Sequence, residues 1–184
     1  GFGRTGALFG ADKAGVVPDI MTLGKALTGG VTPLAATMAT DEVFNAFYDH
    51  DPAKALMHGP TFCGHALGCA AANASLDLFE KEPRLRQVQN IEEQLRDGLS
   101  PLIEKNAVKD VRVLGAVGAV ELRGSYNVEK ARARFIDRGT FIRPLGRVIY
   151  LSPSYVIDQG DLDQLMQAIH DEIELLSKDE DAWI

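Results

Sequence analysis

The sequence predicts an α/β protein built in two parts. Short apolar runs alternate with longer amphipathic stretches along its 184 residues. Hydrophobic residues make up 46% and charged residues 24%, enough apolar material for a packed core. Near residues 81–84 a small, apolar composition gives way to a charge-rich one, which sets a domain boundary there.

The first residues, GFGRTG, are a glycine run of the kind that joins elements and lets backbones pack closely. They satisfy G-x-G-x-x-G to the letter. A dinucleotide site, however, needs a strand before the run and a helix opening on it. Residues 7–10 do not start a convincing helix, so the packing reading is the stronger one. The sequence has no initiator Met and no charged, apolar leader at this end, and the expectation is a fragment of a longer protein.

Residues 19–23 form an apolar run ending in Gly24 and Lys25, the pattern of a buried strand delivering a loop. Residues 33–40 read as a second strand. Asp41 is placed to cap a helix over 42–48 by accepting from first-turn amides. Residues 64–81 are small and apolar on several faces, as in a helix held close to a sheet. Over 84–104 the apolar positions Leu85, Val88, Ile91, Leu95, Leu99, Leu102 and Ile103 recur near a 3.6-residue period. That predicts a long surface helix, with Gly98 and Pro101 as points of interruption, linking two domains.

Strands at 111–115 and 118–122 follow around a turn. Asn127 caps a helix reaching about Asp137, and Gly139 lies just past its end. Residues 140–144 and 148–151 pair as a hairpin across 145–147. Asp158 or Asp161 opens a final amphipathic helix that frays over residues 178–181. The organisation expected is a larger-sheet part over 1–82, a linking helix over 83–106 and a small α+β domain over 107–184.

A net charge of -7 without a Lys/Arg stripe argues against nucleic acid as a partner. The hydrophobic content excludes intrinsic disorder. No run approaches the roughly 18 apolar residues of a membrane helix, so no membrane partner is expected. Cys63 and Cys69 are too few for a disulfide framework and sit in a segment that reads as buried. These features point to the cytoplasm.

Four places bear chemistry. Lys25 follows a strand and precedes Ala26-Leu27-Thr28-Gly29-Gly30, so one amine stands at a strand end among small residues. Confinement and partial desolvation favour the neutral, nucleophilic amine that condenses with a carbonyl; an ordinary loop lysine is the alternative. In His58-Gly59-Pro60-Thr61-Phe62 a turn before a helix offers backbone N–H groups and a hydroxyl to a phosphate, or simply a helix cap. His58, Cys63, His65 and Cys69 lie close in sequence but lack zinc-ligand spacing, and no metal is expected. Arg143, in an extended segment before Pro144, has the fork that grips a carboxylate, with Tyr150 brought alongside by the predicted hairpin. A local ion pair is the alternative for Arg143.

Taken together, GFGRTG, the stretch from Pro18-Asp19-Ile20 to KALTGG (residues 25–30), HGPTF (58–62) and Ile142-Arg143-Pro144 resemble the class III aminotransferases. CAAANASL (69–76), DVRVLGA (110–116) and IRPLGRVIYL (142–151) resemble the branch acting in biotin biosynthesis, and the likeness runs to about Leu175.

The resemblance implies a fold-type I transferase dependent on pyridoxal 5'-phosphate (PLP), of which this chain is the C-terminal portion. Residues 1–82 would complete a large cofactor-binding domain. The implied reaction moves an amino group from S-adenosylmethionine to 8-amino-7-oxononanoate. Lys25 would be the catalytic lysine that holds PLP and carries the proton. Pro60 and Thr61 would bind the phosphate across a homodimer, with Gly59, Arg143 and Tyr150 on the substrate. The aspartate paired with the PLP ring nitrogen would lie before Gly1. His65 and Gly68 stand where that branch has Asn and Ala, and Leu145 replaces a Phe. Another class III enzyme acting on an ω-amino acid, or a non-catalytic dimerisation piece, remains as an alternative.

Overall fold

A computed structural model describes residues 1–178 and Trp183. The chain divides into two compact units, one of Gly1–Phe2 and Ala7–Arg84, the other of Gly3–Gly6 and Leu85–Ile184.

The first unit runs α1 (Gly10–Ala14), β1 (Ile20–Leu23), a 3-10 turn (Lys25–Thr28), β2 (Ala36–Ala39), α2 (Asp41–Asn45), a second 3-10 turn (Pro52–Lys54) and α3 (Ala66–Lys81). β1 and β2 pair antiparallel, Ile20 opposite Ala39 and Leu23 opposite Ala36. The core is small: Phe2, Leu27 and Ala72 are buried, with Phe9, Leu23, Leu34, Ala36 and Phe79 packed against them. Phe2 meets Phe9 edge-on, with ring centroids 5.5 Å apart.

Four expectations are corrected here. The segment after the glycine run does open a helix, because Asp12 accepts the Phe9 N–H at 3.0 Å and closes the first turn of α1. Two strands of four residues bury little, so Ile20 in β1 is 56% exposed rather than buried. Thr40, not Asp41, caps α2 through its hydroxyl, and α2 ends at Asn45. Cys63 and Cys69 are both exposed, as free thiols.

The second unit carries β3 (Val108–Val113), β4 (Gly118–Leu122) and β5 (Val148–Leu151) in the order β3-β4-β5, all antiparallel. With them go α4 (Arg84–Leu99), α5 (Val128–Asp137) and α6 (Gln159–Lys178). The middle of the predicted apolar stripe lands in the core, where Val88, Leu95 and Leu99 are fully buried with Val120, Leu122, Phe135, Ile149, Leu162 and Ile169, whereas Leu85 and Ile103 at its ends are exposed. Burial of such side chains contributes about 1.5–3 kcal/mol each. α4 stops at Leu99, and residues Ser100–Glu104 form a 3-10 turn around Pro101, whose missing N–H cannot continue the ladder. Asn127 caps α5 as predicted, accepting the Lys130 N–H at 3.0 Å.

The hairpin between 140–144 and 148–151 does not form. Leu145 and Val148 close a tight turn on each other, but the segment before it is not a strand, and β5 pairs with β4 instead. Pro144 has no N–H to donate to a ladder. The fraying predicted beyond Lys178 lies outside the described residues.

The glycine run is a packing device. Gly6 N–H bonds the Gly3 carbonyl at 2.8 Å, and the Arg4 guanidinium donates to the carbonyls of Ala116 (3.1 Å) and Pro153 (2.7 Å). It also stacks 4.6 Å from the Tyr155 ring centroid. No helix among the described residues is long and apolar enough to cross a membrane.

Candidate active site

β1 ends at Leu23, Gly24 continues extended at φ -169°, and Lys25 then turns into the left-handed region at φ 51°. For a residue with a Cβ this conformation costs roughly 1–2 kcal/mol. The turn it opens is fixed from below. Leu27 and Thr28 are buried, and the Thr28 hydroxyl donates to the Thr32 carbonyl at 2.6 Å. Gly29, at φ 62°, closes the turn with its N–H on the Ala26 carbonyl. A backbone this constrained aims one side chain.

That side chain lines a cavity of about 1170 Å³, with Leu34, His58, Pro60, Phe62 and His65 on its walls. The expected confinement is not observed within this unit: Lys25 is exposed, because loops rather than packed elements wall the cavity. Its amine makes no hydrogen bond or ion pair among the described residues. Lys54, Lys81, Lys105, Lys109 and Lys178, by contrast, are each tied to a carboxylate. An uncommitted amine on a cavity fits carbonyl chemistry better than it fits a surface salt bridge.

Across the cavity, residues 58–60 are irregular and a turn follows, with Cys63 N–H on the Pro60 carbonyl at 2.9 Å. Thr61 is exposed and is not a cap: α3 begins at Ala66, with His65 in the cap position. The Thr61 hydroxyl has no partner among the described residues. Gly59 is open, with nothing within 4 Å of where a Cβ would stand. Lys25 and Pro60 thus share one cavity, with Gly59 and Thr61 on the same loop.

Arg143 and Tyr150 belong to the second unit. Arg143 is exposed and has no ion pair among the described residues. It lines a separate cavity of about 270 Å³ with Arg132, Ile136, Phe141 and Ile142. Without the hairpin, Tyr150 is not brought opposite Arg143; it pairs with Ala119 on β4 and is 36% exposed. Two residues escape the sequence reading. Thr28 is signalled only by standing between an apolar residue and a glycine pair, and Arg132 by nothing beyond its place on a charged helix.

The pattern of the family described as "Aminotransferase class-III" matches residues 1–173. The chain belongs to the class III aminotransferases. A relative from Corynebacterium glutamicum, named adenosylmethionine-8-amino-7-oxononanoate aminotransferase, is 46% identical over 92% of this chain and 40% of its own length. The crystal structure of a protein of the same name from Methanocaldococcus jannaschii superposes with a TM-score of 0.83. It is 36% identical over 95% of this chain and 43% of that one. An amine transaminase from an uncultivated Pseudomonas species, solved in a PLP-bound form, superposes equally well (TM-score 0.83) at 31% identity, over 95% of this chain and 42% of its own. The chain therefore spans about two fifths of the length of the curated relatives it matches. As a class III aminotransferase it has the α/β fold-type I architecture.

Proposed function

We propose that this chain is the C-terminal portion of a PLP-dependent transaminase that converts 8-amino-7-oxononanoate to 7,8-diaminononanoate, with S-adenosylmethionine as amino donor, in biotin biosynthesis. The observation that carries the reading is Lys25, an unpaired amine at a strained backbone position on a large cavity. It stands in a chain 46% identical to a protein named for that reaction. Residues 1–82 then supply the end of the cofactor-binding domain and 107–184 the small domain, with 83–106 joining them. The setting is cytoplasmic and the assembly a homodimer.

The residues present fit the cofactor. The cavity is roomy, and it offers one free amine for an aldehyde and one loop with a free hydroxyl for a phosphate. Bound PLP would supply an electron sink for the bond-breaking steps. Lys25 Nζ would hold the aldehyde carbon. The same Nζ would also be the base that takes up and gives back the proton at the substrate carbon. The left-handed turn keeps that nitrogen on station. Thr61 Oγ1 and the backbone after Pro60 would bind phosphate, and the open backbone at Gly59 would meet substrate. Arg143 would hold the carboxylate of the oxo acid in bidentate fashion, with Tyr150 lining its pocket. A related class III enzyme acting on an ω-amino acid is the second reading, favoured by an engineered ω-transaminase that superposes at TM-score 0.86 with 28% identity.

The test is titration with PLP, followed by borohydride reduction and peptide mapping, in wild type and Lys25→Ala. A reduced adduct on Lys25 and loss of the visible absorbance band in the variant are expected. Absorbance retained by Lys25→Ala overturns the assignment. Substrate profiling then separates the oxo acid from ω-amino acids.

A further inference from the structure

We propose that Arg132 is a second carboxylate-recognising group beside Arg143, which makes the 270 Å³ cavity a two-guanidinium subsite for the acid end of an aliphatic substrate. The inference rests on the reading of Arg143 given above and extends it to a residue outside that reading.

α5 presents Arg132 and Ile136 one turn apart, on one helix face. The segment after the helix contributes Phe141, Ile142 and Arg143 to the same cavity. No carboxylate among the described residues lines it, so two positive groups face one small space. Arg143 has no partner among the described residues. Arg132 gives NH1 to Glu129 at 2.8 Å, but Glu129 is 81% exposed and screened by solvent, so it neutralises little. The Arg132 Nε is buried and has no hydrogen-bond partner among the described residues, while the side chain as a whole is 40% exposed. Buried donors are nearly always satisfied, and one that is not marks a place where a partner is missing. A partly exposed guanidinium has further N–H donors with which to grip a carboxylate. The remaining walls, Ile136, Phe141 and Ile142, are apolar and suit a methylene chain. That combination favours a carboxylate on an aliphatic tail over an inorganic anion, which would leave those walls unused.

The experiment uses the full-length enzyme with the oxo acid and its methyl ester, which lacks the charge. Arg132→Gln is expected to raise KM for the acid by about tenfold or more, the worth of hydrogen bonds to a charged group, with kcat nearly unchanged and KM for the ester unmoved. Arg132→Lys is expected to recover part of the loss, and it guards against a variant that merely misfolds. Equal effects on acid and ester, or none on either, overturn the proposal. Arg143→Ala runs alongside. If it too leaves KM for the acid unchanged, the reading of Arg143 fails first; if it raises KM while Arg132→Gln does not, only the role of Arg132 falls. Stronger competition by inorganic phosphate than by nonanoate overturns the choice of a carboxylate.

Discussion

Lys25 and Tyr126 illustrate two ways in which a single side chain is held at some expense. At Lys25 the expense lies in the backbone, and the buried pair Leu27 and Thr28 sustains it. At Tyr126 it lies in a hydroxyl that is buried without a partner among the described residues. Burial, and then the nearby carboxylate of Glu172, push the Tyr126 phenol above its ordinary value of 10.0. The folded protein therefore holds this proton more tightly than the unfolded chain. The stability tied to that proton is present below about pH 10 and is lost as the pH climbs further. Tyr126→Phe is expected to leave stability at pH 7 unchanged or raise it by up to about 1 kcal/mol, because no hydrogen bond is lost. It is also expected to flatten the fall above pH 10. Urea unfolding at pH 7 and at pH 11 measures both; a loss above about 1 kcal/mol at pH 7 would reveal a partner for the hydroxyl.

Among the elements, the turn between β3 and β4 is a tight joint. Gly115 has φ 55°, and a Cβ there would run into the backbone of Arg4, Thr5 and Gly6. Nothing on that side is a flexible side chain, so the strain cannot be relieved by a rotamer change. Gly115→Ala is expected to destabilise by about 1–3 kcal/mol from the backbone angle alone, with the clash in addition. An unchanged thermal midpoint would mean that the loop of Gly3–Gly6 is displaced at no cost. The long helices and the Asn127 cap were legible because period and cap chemistry are local signals. The hairpin at 140–151 was misread because strand pairing is a competition, and β4 outbids a segment that ends in a proline. Lys25 and the loop at 58–62 were legible through their glycines and spacing. The exposure of Lys25 was not, since burial depends on what lies across the cavity. Arg132 was illegible because a guanidinium on a charged helix looks the same whether or not its Nε is satisfied.

At the scale of the whole chain, the two units differ in how much apolar surface they remove from water. The second unit buries a continuous core, whereas the core of the first buries three apolar side chains, and Val17, Met57, Phe62 and Tyr48 stay more than three quarters exposed. Amide exchange follows core size, so the β1 and β2 amides are expected to exchange well before those of β4 and β5, where Val120 and Ile149 are fully buried. Equal protection would show a first unit more cohesive than its core. The course of the polypeptide adds one more consequence. Arg4 and its neighbours are clasped within the second unit, and the chain returns to that unit at Leu85. Everything from Ala7 to Arg84 is thus a lasso with both ends tied. When it opens, its ends stay captive, and the entropy of re-closing grows only with the logarithm of its length. A protease that cuts the lasso once leaves two fragments that Arg4 still buckles together, through the carbonyls of Ala116 and Pro153, the Ala116 N–H and the Tyr155 ring.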